Sequence, residues 1–186
     1  LSIIHAYSAW DIHTDASAGP IVAVLDRGTS HPDLDANIVS GWTCENGACV
    51  VGGGFIDNPN APITPTLSHG VLVAGPLAAV GNNGIGIAGT NWQARIMPFR
   101  IAGSGDAAYT SNAIAAFEKI LELRGAGSPI EITANSWGTT ETCASQLLKD
   151  AMDAAGTLNV CSAGNEIMNT DITGHCPASF DSARII

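Results

Sequence analysis

Residues 20–26 read Pro-Ile-Val-Ala-Val-Leu-Asp, a continuous apolar, largely β-branched run that ends on an acid. A strand with no polar face has to be covered on both sides, as happens in a parallel sheet between helical layers. The rest of the chain supplies the partners. Residues 94–101, 130–134 and 158–161 read as further short strands, and another starts at 183. Between them, residues 69–80 read as a helix with Ser68 as N-cap. Residues 110–124 read as an amphipathic helix with apolar Ile114, Phe117, Ile120 and Leu121. A third helix is expected over 142–155. Residues 27–68 are rich in Gly, Pro, Asn and Asp and read as loops, with one strand near 37–42. Strands alternating with helices give an α/β fold around a mostly parallel sheet.

Composition narrows the class. The 186 residues are 46% apolar and 13% charged, enough for a real core and unlike a disordered chain. No apolar run approaches the ~20 residues of a membrane span. Seventeen acids against seven bases give a net charge of −10, which argues against nucleic acid as a partner. No repeat or linker interrupts residues 1–186, which read as one domain. Neither an initiator Met nor a signal-peptide pattern opens the chain, and it stops inside an apolar run at Ile185-Ile186. We therefore expect a piece of a longer polypeptide, with the domain incomplete and monomeric.

Cys44 and Cys49 flank Glu-Asn-Gly-Ala, a polar turn that a disulfide would close into a small loop. Free thiols are the alternative; zinc is disfavoured because no second close Cys/His pair supplies four ligands. Either Cys143 or Cys176 could pair with a cysteine beyond residue 186, and Cys161 is expected to be a buried thiol. Low charge, few lysines, many Gly and Ala, and the disulfide point to an exported, secreted protein.

Ligands of open parallel sheets sit beyond the carboxyl ends of the strands. There the chain places Asp26, then Asn135-Ser136-Trp137-Gly138, then Ser162-Ala163-Gly164-Asn165, while His69 opens a helix. An acid, a histidine and an amide-bearing Asn are three parts of an acyl-transfer site. Taken singly, each has a plainer role: Asp26 as a strand-end turn residue, His69 as a cap or solvated histidine, Asn165 as a turn residue.

The strings around them decide more. Ile-Val-Ala-Val-Leu-Asp-Arg-Gly at 21–28 with His-Pro-Asp-Leu at 31–34 resembles the aspartate segment of the subtilisin-like serine proteases. Ser-His-Gly-Val-Leu-Val-Ala-Gly at 68–75 resembles their histidine motif, and Gly-Asn-Asn-Gly-Ile-Gly-Ile-Ala-Gly at 81–89 is similar to the family segment after that motif. Ala-Asn-Ser-Trp-Gly at 134–138, Ser-Ala-Gly-Asn-Glu at 162–166 and Pro-Ala-Ser-Phe-Asp at 177–181 resemble later family segments, in family order. The resemblance implies a three-layer subtilisin-like domain truncated at its C-terminus. It also implies Asp26 as orienting acid, His69 as general base and Asn165 as oxyanion donor. Ser136, Trp137 and Gly138 would line the pocket for the residue before the cleaved bond, with Gly164 opposite. Gly103, Ser104 and Gly105 would be the edge on which an extended polypeptide substrate pairs. A structural calcium site would use Asp33, Asn83 and carbonyls of the 81–87 loop.

No Gly-Thr-Ser nucleophile segment occurs in these residues, so the chain alone is expected to be inactive. Arg27 stands where the family usually has Ser or Thr, Val71-Leu72 replace Thr-His, and Pro76 falls inside a helix. These departures are the ground for the alternative reading, a catalytically inactive relative that binds extended peptides, beside the main reading of a serine endopeptidase. Gly84-Ile85-Gly86-Ile87-Ala88-Gly89 satisfies the dinucleotide fingerprint, but a helix precedes it and a strand comes after, the reverse of what that site needs.

Overall fold

The computed structural model describes residues 3–14, 18–52, 68–102 and 108–186. Six strands form one sheet: β1 (Ile21–Asp26), β2 (Trp42–Glu45), β3 (Ala48–Val51), β4 (Arg95–Arg100), β5 (Ile130–Asn135) and β6 (Leu158–Cys161). Their spatial order is β3-β2-β4-β1-β5-β6. Every pairing is parallel except the β2–β3 hairpin. The helices are α1 (Ala6–Trp10), α2 (His69–Ala78), α3 (Thr110–Gly125), α4 (Gln146–Ala155) and α5 (Thr170–Thr173). The expected three-layer α/β architecture is present.

β1 shows why its sequence has no polar face. Its side chains alternate between two buried clusters. Ile21, Ala23 and Leu25 join the core under α3 and α4, with Phe99, Phe117, Leu148 and Met152. Val22 and Val24 face the other cluster, built on Val71, Ala74 and Ala78 of α2. The same alternation turns Asp26 towards α2, the helix that His69 opens.

Local chemistry sets the helix ends. The Ser68 hydroxyl accepts a hydrogen bond from the Val71 N–H at 3.3 Å, and that of Ser145 accepts one from Leu148 at 3.3 Å. The expected start of α4 at 142 moves to Gln146, because 141–144 form a separate 3₁₀ turn. On α3 the core stripe is Ala113, Ala116, Phe117 and Ile120, while the expected Leu121 is exposed. Pro76 is accommodated inside α2, its carbonyl accepting from the Thr90 N–H at 2.8 Å and the Thr90 hydroxyl at 2.9 Å.

Two strand expectations shift. Near 37–42 only Ile38 bridges the sheet, to Ile96, and the strand proper begins at Trp42. At 183 the pairing is a bridge from Asn159 to Ile185. The Cys44–Cys49 disulfide forms across directly paired residues of the β2–β3 hairpin. Asn46 and Gly47 both take positive φ there, 54° and 79°, as a tight hairpin turn requires. Cys143 and Cys176 are bonded to each other, which corrects the expectation of partners beyond residue 186. The fold brings together two loops that sit 33 residues apart in sequence.

Candidate active site

Asp26 closes β1 with a carboxylate that is almost fully buried. Its Oδ1 accepts the Arg27 N–H at 2.7 Å. His69 Nδ1 lies 2.9 Å from Oδ2 and 3.0 Å from Oδ1. A carboxylate only accepts, so this contact favours the proton on Nδ1, and in the neutral ring the lone pair is then on Nε2. The imidazole is 48% exposed and the carboxylate 3%, so the acid is shielded while the ring reaches solvent.

The start of α2 holds the ring in place. Ser68, besides capping the helix, donates its hydroxyl to the Gly28 carbonyl at 2.7 Å. Helix start and strand-end turn are thus tied together directly beside the Asp26–His69 contact.

Both residues line a cleft of about 360 Å³. Ser136, Trp137 and Gly138 line it too, and Arg27, Ile101, Ala102, Ala108, Tyr109, Thr110 and Thr139 complete it. Gly103, Ser104 and Gly105 lie outside the described residues. Their flanks, Ala102 and Ala108, bridge to each other in antiparallel fashion and line the cleft. Among the described residues, the His69 ring hydrogen-bonds to Asp26 and to no hydroxyl.

The structure also reveals a residue that the sequence does not single out. A Cβ on Gly138 would stand 2.8 Å from His175 Cε1, and one on Gly164 would stand 2.8 Å from His175 Cδ2. Gly138 and Gly164 therefore both approach one buried imidazole closely. Its Nε2 is 3.9 Å from a Glu166 carboxylate oxygen. Thr139 and Cys176 exchange two backbone hydrogen bonds of 3.1 Å, and the Cys143–Cys176 disulfide reinforces the same junction. No local signal marks His175; only tertiary contact does. Asn165 is on the exposed turn after β6, where its N–H donates to Glu166 at 3.0 Å. Neither it nor Gly164 is among the residues lining the cleft.

The expected calcium pair does meet. Buried Asp33 accepts Asn83 Nδ2 at 2.8 Å on Oδ1 and the Ile87 N–H at 2.9 Å on Oδ2. Asn83 Oδ1 accepts the Ile85 N–H at 2.9 Å. A carboxylate, an amide oxygen and loop carbonyls are the donor chemistry a hard cation takes, once Asn83 presents oxygen rather than nitrogen to it. Burial pushes the thiol of Cys161, the free cysteine, up to about 12.

The subtilase family profile matches residues 17–186. The chain belongs to the subtilase family. This subtilase chain is 33% identical to an extracellular protease of Xanthomonas campestris pv. campestris, over 92% of its own length and 33% of the relative's. It is also 33% identical to a thermophilic serine proteinase of a Bacillus species, over 94% of this chain and 39% of that one. A solved structure titled S41 psychrophilic protease superposes with a TM-score of 0.64 at 28% identity, over 80% of this chain and 47% of that chain. The subtilase chain thus spans about a third of the length of the first of these relatives.

Proposed function

We propose that this chain carries the acid–base part of a serine endopeptidase that cuts extended polypeptides, with the nucleophilic serine supplied by residues outside the given sequence. The observation that carries the reading is the Asp26–His69 contact at 2.9–3.0 Å on the wall of an open cleft. In this role His69 Nε2 removes the serine proton as the hydroxyl attacks the peptide carbonyl, then returns it to the leaving amine. Asp26 keeps the ring in the Nδ1–H tautomer and balances the charge it acquires. Asn165 is assigned the oxyanion, a task that needs its amide turned towards the cleft when substrate is bound. Among the described residues no hydroxyl hydrogen-bonds to the His69 ring, and the 186 residues hold no Gly-Thr-Ser segment, which is why the nucleophile is assigned elsewhere.

In the full-length protein, Asp26→Asn is expected to lower kcat by about 10⁴-fold, because it disturbs the tautomer while keeping the shape. His69→Ala should do at least as much. Unchanged turnover in either variant overturns the assignment. Peptide binding without any cleavage in the unmutated protein would instead identify an inactive, peptide-binding relative.

Calcium, in this reading, pins the 81–87 loop through Asp33 and Asn83 and has no part in the chemistry. The protein is read as secreted, on its two disulfides and on the names of extracellular relatives. Among the described residues no helix is long and apolar enough to cross a membrane.

A further inference from the structure

We propose that the His175 imidazole is a positioning residue for Asn165, coupling the turn that carries it to the cleft wall at Gly138. The inference rests on the reading of Asn165 as the oxyanion donor of a serine endopeptidase. The Cε1 atom of the ring meets the wall: a Cβ on Gly138, which lines the cleft, would stand 2.8 Å from it. Cδ2 and Nε2 meet the turn, at 2.8 Å and 2.9 Å from where a Cβ on Gly164 would stand. The Glu166 carboxylate lies at the same place, its Oε2 2.6 Å from that Cβ position and 3.9 Å from His175 Nε2. That oxygen accepts the Asn165 N–H at 3.0 Å. Wall, ring, carboxylate and the Asn165 amide thus form one chain of contacts.

The ring stands on a firm base. The His175 N–H donates to the Ser179 hydroxyl at 2.8 Å, and its carbonyl accepts the Ser179 N–H at 2.9 Å. The next residue, Cys176, is bound to Thr139 on the cleft wall by the two backbone hydrogen bonds described above. The turn is held less well, for Asn165, Glu166 and Ile167 are all exposed. An exposed carboxylate beside a fixed, buried ring takes its position from the ring. Nδ1 of that ring is buried with no hydrogen-bond partner among the described residues. A side chain that served as bulk alone would do better without such a nitrogen, since an unsatisfied buried polar group is costly. Nε2, the atom that faces Glu166, is what an apolar residue of the same size lacks. An oxyanion donor acts only when its amide sits within hydrogen-bond reach of the developing charge, so a small displacement of the turn weakens the transition state and not substrate binding.

In the full-length protein, His175→Ala should lower kcat on a peptide substrate about tenfold and leave KM within about twofold. Asn165→Ala alone should lower kcat by about 10²–10³-fold. Adding His175→Ala to Asn165→Ala should then cost less than about twofold more, because its effect runs through an amide already removed. His175→Gln, whose amide N–H reaches about as far as Nε2, should recover most of the loss. His175→Leu, of similar bulk but without a donor, should not; the Gln and Leu pair serves where His175→Ala does not fold. Full kcat in His175→Leu, a change confined to KM, or an undiminished loss on top of Asn165→Ala overturns the inference and leaves the endopeptidase standing. Hydrogen exchange at short labelling times tests the coupling without activity. The peptide spanning 162–168 should exchange several-fold faster in His175→Leu while that spanning 21–26 is unchanged. An unmutated protein that cleaves nothing sinks the endopeptidase, and exchange then decides the coupling: faster exchange over 162–168 supports it, and unchanged exchange overturns it.

Discussion

A Cβ on Gly70 would stand 2.1 Å from the carbonyl oxygen of Gly28. The first turn of α2 is therefore pressed against the turn that succeeds Asp26, closer than any other residue type permits. The contact between acid and histidine depends on this approach, since Gly70 is the residue immediately after His69.

Gly70→Ala should then push the helix start away and carry His69 off Asp26. We expect about 1–3 kcal/mol of destabilisation from overpacking, and a fall of about 100-fold in kcat/KM of the full-length protein from the displaced ring. Gly125→Ala, at a helix end where a Cβ meets nothing within 4 Å, is the control and should be neutral or slightly stabilising. Equal effects of the two substitutions on activity would show that the close approach is unimportant.

The Cys143–Cys176 bridge closes a 33-residue separation. Loop entropy puts its contribution at about 3–4 kcal/mol. The double variant Cys143→Ser/Cys176→Ser should melt well below the parent. A non-reducing peptide map should return the two cysteines in one cross-linked fragment; a map with either one free contradicts the pairing.

Asp153 gives a dependence on acid. Lys149, at 2.7 Å, and the Ser182 hydroxyl, at 2.5 Å, hold its carboxyl below the ordinary value. A depressed carboxyl adds stability above its unfolded-state pKa and loses it as pH falls through the folded-state value. The side chain is 36% exposed, so solvent screening keeps the effect under about 1 kcal/mol. Melting curves of Asp153→Ala and parent should differ at pH 7 and converge towards pH 3. A gap that widens in acid has the wrong sign for this account.

Calcium at Asp33 and Asn83 should raise the melting temperature. At about 100 times the dissociation constant the gain is about 2.7 kcal/mol. Chelator should remove the gain, and Asp33→Ala should abolish the response. A parent protein indifferent to both calcium and chelator would leave Asp33 with hydrogen bonding as its whole role.

Much of this arrangement is legible in the sequence because its signals are local. The β1 run announces burial on both faces, and Ser68 announces the start of α2. Asp26 and His69 fall at those ends, so strand direction and helix capping nearly suffice to bring them together. The β2–β3 hairpin is harder to read. Asn46-Gly47 is a strong hairpin turn, but the short flanks alternate poorly, and the cysteines suggest only a closed loop. The separate turn at 141–144 is hidden in the same way, since Cys143 is held by a partner outside its own segment. His175 has no sequence signal at all. Its role comes from two glycines on different loops that both leave room for it. Gly138 and Gly164 are recognisable from their strings, whereas the imidazole between them is a fact of packing.

The sheet order has a consequence for how the site fails. β1 lies between β4 and β5, paired with both, so its amides are released to exchange with solvent only when the sheet itself opens. The opening turn of α2 lies at the rim of the fold, held by the Ser68 hydroxyl and by buried Gly70 and Val71, and the imidazole it presents is half exposed. Heat or denaturant should therefore loosen the histidine's side before the acid's. The acid should stay in place, still buried, when its partner has gone, so that the Asp26–His69 contact is lost while most of the sheet persists.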